Sequence, residues 1–233
     1  MAFSRYFDNS QLAEAIRIAN GQTKGVSHIN KFGFNPALSS SYETIHDAGG
    51  VYSYISTPGT AAVAGASDSG AVIEVQGLDA NYNQVTEDIT VGATGSTVFS
   101  RVFRARVKSL SSGSTNQGNI TVTVDSAVRA TILTGNGQTL MALYTIPANK
   151  KGYLTYFQGS MEKDTDAIFK LFARPIDDGV FNLKGQFGSH GAPVTYDYKI
   201  PLEFEEKTDI EIQAKTGGTT GGGAIFDLIL VDE

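Results

Sequence analysis

The 233-residue chain predicts an all-β protein: two antiparallel β-sandwich domains, jelly-roll-like or Ig-like, preceded by a short helical N-terminal arm. Three observations carry this expectation. Short runs rich in Val, Ile, Thr, Tyr and Phe recur from residue 71 to the C-terminus, several alternating apolar and polar positions at the strand period of two. The 26 glycines fall between apolar runs, where turns between strands need them. One segment alone carries the 3.6-residue helical period, so the chain lacks the helices that parallel βαβ units require.

That segment is residues 11–20. Ser10 is a candidate N-cap and Gly21 a stop, and Leu12, Ala15, Ile16 and Ala19 form one narrow apolar stripe. About ten residues cannot hold a helix alone, so the stripe has to dock on the body of the protein or on a neighbour. Phe3, Tyr6 and Phe7 precede it. Residues 1–25 therefore read as an attachment arm, with Phe3, Tyr6, Phe7, Leu12 and Ile16 as its protein-interface residues.

Residues 21–70 are rich in turn signals, with residues 51–55 a candidate strand and residues 60–70 an exposed loop of small and polar side chains. Beyond them the strand signal strengthens. Residues 72–76 and 84–91 read as a hairpin, residues 99–108 as one strand, and residues 120–124 and 127–133 as two more. Gly135-Asn-Gly137 reads as a domain boundary, which gives a first sandwich over 26–135 and a second over 136–233. The second is expected to contain strands at 140–146, 152–158, 167–173, 194–200, 209–214 and 224–231.

Composition narrows the function classes. A net charge of −6 and a pI near 5.1 disfavour a phosphate backbone as partner, so no nucleic acid is expected. No run approaches the roughly 18–20 apolar residues of a membrane span. The N-terminus lacks the apolar core of a secretion signal, so synthesis in the cytoplasm is expected. The absence of cysteine removes disulfides, thiolate nucleophiles and Cys-ligated metals.

No catalytic constellation emerges, and neither an enzyme nor a cofactor is expected. His28, His46 and His190 share no metal-ligand spacing and read as surface or loop residues. Residues 65–70 approach the G-x-S-x-G elbow, but Ser69 stands where the second glycine belongs. Gly135-Asn-Gly-Gln-Thr139 lacks the P-loop lysine. Asp79, Asn81 and Asn83 begin a calcium loop of D-x-N-x-N type, yet Gln84 and Thr90 replace its glycine and its bidentate glutamate. An Asx-rich hairpin turn is the favoured reading of that loop, with a cation site as the alternative. Arg101, Arg104, Arg106 and Lys108 form the one basic cluster. The last three sit on alternate strand positions, where they read as a solvated face ahead of a carboxylate-binding one.

Five phrases carry a family resemblance: Asn30-Lys-Phe-Gly-Phe-Asn-Pro36, Val75-Gln-Gly-Leu-Asp-Ala-Asn-Tyr-Asn83, Phe99-Ser-Arg-Val-Phe-Arg104, residues 135–147 (GNGQTLMALYTIP) and Leu171-Phe-Ala-Arg-Pro175. In order, from about residue 26 to the end, they resemble uncharacterised virion structural proteins of tailed bacteriophages. The resemblance implies a virion location and a capsid-decorating or cement role, with the major capsid protein or another virion protein as partner. A neck, tail or head-fibre component, or a host-surface glycan-binding module, is the alternative. It assigns no functional residue. A jelly-roll module of this kind is expected to form a symmetric homo-oligomer, with a trimer favoured.

Overall fold

A computed structural model describes residues 9–233 of the chain. Helix α1 (Asn9–Ala19) leads into β1 (Val26–Leu38) and β2 (Glu43–Thr44). Seven strands follow: β3 (Gly59–Ala64), β4 (Val72–Leu78), β5 (Gln84–Thr90), β6 (Thr94–Phe99), β7 (Arg101–Ser109), β8 (Ile120–Val124) and β9 (Ala127–Ile132). The chain ends with β10 (Leu143–Thr145), β11 (Lys150–Met161), β12 (Asp166–Arg174), β13 (Asn182–His190), β14 (Val194–Phe204), β15 (Asp209–Thr216) and β16 (Thr220–Asp232). All the strand pairs are antiparallel, as the absence of crossover helices requires.

The sheets divide the chain differently from the expected 26–135 and 136–233. One sheet has the order β1-β16-β11-β14 and a second β10-β15-β12-β13, with β2 lying on β15 beside β10. A smaller module holds the sheets β6-β3-β8-β9 and β5-β4-β7. β1 pairs with β16 from Val26↔Val231 to Leu38↔Thr220, so residues 26–44 belong with the C-terminal strands rather than with a first sandwich. Chain exit and return are neighbours. Ile45 donates its N–H to Ile212 O, Ala142 donates to Ile45 O, and Ile212 donates to Ala142 O. The smaller module is thus an insertion into one strand position of the larger one, a tolerated arrangement because both ends meet at one place.

Several strands differ from expectation for local reasons. β1 places Lys31, Gly33 and Asn35 at inward positions, so its apolar alternation is broken. Gly33 is there because a Cβ would lie 2.2 Å from Ala142 N and 2.5 Å from Ile45 O. β3 occupies part of the expected exposed loop at 60–70. Its buried side chains, Ala61 and Val63, are small and give a faint signal. Residues 99–108 split at Ser100 into β6 and β7. Residues 51–55 form no strand; instead Ser53 O and Tyr54 O accept bonds from the buried Arg129 guanidinium, at 2.6 and 3.2 Å. Helix α1 starts at Asn9, which puts Ser10 inside it, and Gly21 ends it at φ 66° as a left-handed C-terminal stop.

The larger module's two sheets face each other across an apolar layer. Phe157 on β11 stacks on Phe187 of β13 at 4.4 Å and meets Phe169 of β12 edge-on at 6.2 Å. Phe226, Leu228 and Leu230 supply the same layer from β16, and Leu171, Ile210 and Ile212 face them. The apolar core continues from there into the smaller module through Tyr144 and Phe103, whose rings lie 4.7 Å apart.

Candidate functional site

The expected site residues fall in separate places. Asp79 sits in the β4–β5 hairpin, where Oδ1 accepts the Asn81 and Asn83 N–H groups at 2.8 and 2.9 Å. Oδ2 accepts the Asn83 side-chain amide at 3.2 Å. This is an Asx turn, and Tyr82 takes the left-handed conformation at φ 64° inside it. Those hydrogen bonds hold the Asp79 carboxyl below its usual range despite the opposing effect of burial. Among the described residues no group of three or more His, Asp or Glu is placed to hold a metal ion.

Phe3, Tyr6 and Phe7 lie outside the described residues, as does the Leu12 side chain. Ile16 does not bury itself against the body; it is 51% exposed on α1. Ala15 and Ala19, from the same stripe, are exposed too. No helix among the described residues is long and apolar enough to cross a membrane.

The basic cluster is engaged from within. Arg106 grips Glu74 with two bonds of 2.7 and 2.8 Å, Lys108 pairs with Asp88, and Arg104 reaches Gln138 Oε1. Glu74 stands opposite Arg106 on the adjacent β4, a cross-strand pair, while the Lys108–Asp88 pair reaches over β4 to β5. Arg101 points elsewhere. It meets Asp209 of β15 at 2.8 Å, and Arg174 of β12 holds the same carboxylate at 2.6 Å. Thr145 Oγ1 donates a third contact at 2.6 Å. The Tyr54 ring lies under both guanidinium groups, at 5.4 and 4.4 Å, and its hydroxyl donates to Glu211 at 3.0 Å. Burial alone would pull Arg101 down; its bonds and charge pairing with Asp209 hold it above its ordinary value. This arrangement clamps the two modules together. Asp209 and Arg174 carried no sequence signal, because their partners are distant in the chain.

The histidines stay apart as well. His28 lies 3.8 Å from Asp227, and His190 lies 2.9 Å from Asp166 on the surface. His46 is buried, not a surface residue, at the chain's exit into the smaller module, edge-on to Tyr52 at 5.6 Å. Burial holds it down at about 4, so it is neutral near pH 7. Glu87 accepts the Ser96 and Thr97 N–H groups at 2.7 and 3.0 Å and fixes the β5–β6 turn.

Exposed apolar surface is unevenly distributed. Of the nine large hydrophobics exposed among the described residues, five lie between residues 176 and 200, namely Ile176, Val180, Leu183, Tyr196 and Ile200, within or just before β13 and β14. Each of these strands is the outer strand of its sheet. Tyr196 continues inward to Phe187 at 5.7 Å and Tyr198 at 4.7 Å, and Ile200 stands 86% exposed. No protein-family model matches the chain, and no curated protein matches it.

Proposed function

We propose that this protein is a non-enzymatic structural component of a tailed-phage particle, bound to the outside of the shell as a decorating or cement protein. The observation that carries the reading is the unburied apolar surface on α1 and around the free edges β13 and β14. Large apolar side chains left open along one stretch of chain, as at residues 176–200, fit a side that a partner covers. An 11-residue helix with an exposed stripe also needs a partner to persist. The candidates for chemistry that the sequence offered, the Asp79 loop and the three histidines, lie apart from one another, which supports a role without chemistry.

The strand order supports reading the larger module as a jelly roll. Taking β2 and β10 as two halves of one strand, its eight strands run 1-8-3-6 in one sheet and 2-7-4-5 in the other. That is the order of a long hairpin rolled on itself, an architecture common in viral capsid proteins. A homo-oligomer, with a trimer favoured, would use the β13–β14 side as its self-contact, and residues 1–25 would reach the major capsid protein.

Rebinding tests this. Full-length protein and a form lacking residues 1–25 are each added to particles stripped of the protein, and occupancy is measured. The full chain is expected to restore occupancy and the shortened chain to lose it. Equal occupancy by both would remove the arm from the account; failure of the full chain to bind would remove the particle role.

A further inference from the structure

We propose that the recess between β1 of the larger module and β4 and β7 of the smaller one is a binding site for a small organic carboxylate. The cavity holds about 270 Å³ and is lined by Lys31, Arg104, Phe103 and Tyr144, among others. That is near the lower end of ligand-pocket sizes, about 300–1,000 Å³, and suits a single small ring with a charged head.

The charge pattern points to an anion. Lys31 is 8% exposed, and its ammonium donates to one neutral acceptor, Phe103 O, at 2.6 Å. Arg104, the second cation of the recess, donates only to the neutral Gln138 Oε1, at 2.8 and 3.3 Å. The carboxylate that bears on Arg104, Glu74, is held in a two-bond grip by Arg106. On the far side, Asp227 is engaged by Asn30 and His28. Two basic groups, one buried and one partly buried, therefore share one recess, and no carboxylate of the described residues bonds to either of them. Burial and the nearby Arg104 push the Lys31 ammonium down to about 7, and a carboxylate seated beside it would oppose that shift by favouring the charged form.

The other lining side chains choose the body of the ligand. The Phe103 ring and the ring of Tyr144 form a tilted aromatic pair on one wall, and Ile29 and Phe32 come from β1. Carboxylate oxygens between Lys31 and Arg104 would make charge-assisted bonds, the strong kind, with the apolar body on Phe103. The recess lies where the two modules meet, so an occupant would tie them together and stabilise the fold by mass action.

Benzoate is the probe, with benzamide as its uncharged isostere and inorganic phosphate as a bare anion. Full-length protein is titrated with each, followed by melting temperature and by NMR shifts of residues around the recess. Benzoate should bind saturably and raise the melting temperature, and benzamide should not. Lys31→Met and Arg104→Gln, each shown to be folded by circular dichroism, should each weaken benzoate by about tenfold or more. The site is refuted if benzoate shows no saturable binding, if benzamide matches it, or if both variants bind it as wild type does. Tighter binding of phosphate than of benzoate would overturn the organic-carboxylate assignment.

Discussion

Lys31→Met offers a quantitative test of the module junction. The Lys31 ammonium is buried with one neutral acceptor, and its pKa falls from 10.5 to about 7, first through burial and then through Arg104. At about 1.4 kcal/mol per pH unit, that drop makes the buried charge cost roughly 4–5 kcal/mol below pH 7. The folded protein binds fewer protons than the unfolded chain between pH 7 and 10.5, so wild-type stability rises with pH through that window. Methionine is of similar length and carries no charge, so the variant loses this dependence. It also leaves Phe103 O without its donor, a cost of about 1–3 kcal/mol that does not vary with pH. The advantage of Lys31→Met over wild type should therefore shrink by roughly 3 kcal/mol between about pH 6.5 and pH 9.5. Arg104 stays charged across this window in both proteins. Urea denaturation at the two pH values, with matched slopes, measures the difference. A stability difference that stays constant with pH, or grows, would refute a desolvated ammonium at Lys31.

Other consequences follow from single contacts. Asp47 is 3% exposed and its carboxyl is pushed up to about 7 by burial, so wild-type stability falls as pH rises from 3.8 to 7; Asp47→Asn should gain roughly 3 kcal/mol over wild type between about pH 4.5 and pH 7.5, read by thermal or urea unfolding. Asp209→Ala leaves Arg101 and Arg174 facing each other without their shared anion; a loss of about 3–5 kcal/mol is expected, and proteolysis should then cut between the modules first. Gly33→Ala drives a methyl against backbone atoms at 2.2 and 2.5 Å that cannot swing away, so a destabilisation of at least about 3 kcal/mol is expected from melting curves.

What the sequence made legible was set by how local each signal is. The β4–β5 hairpin and its Asx turn were readable because alternation and turn chemistry both lie within twenty residues. The strands from β11 to β16, apart from β13, were readable for the same reason. β13 was hidden by Lys184, Gly185, Gln186 and Gly188, which interrupt any apolar period. The β1–β16 pairing joins opposite ends of the chain, and β1 carries Lys31 and Gly33 where apolar side chains would have announced it. The inserted character of the smaller module was invisible for a related reason, since β2 is only two residues long. The basic cluster was legible as a cluster, but Glu74 and Asp88 could be assigned to it only once the strand order was known, and Asp209 only once the packing of the two modules was known.

The reading as a particle component depends most directly on where the protein resides. Phage particles purified from lysates of the host strain that carries this coding sequence, imaged by electron cryomicroscopy with subunit mass spectrometry, would decide it. The account predicts density for this fold in many symmetry-related copies on the outer shell, with α1 against a neighbouring subunit. Particles complete in every other component but lacking this chain would contradict it.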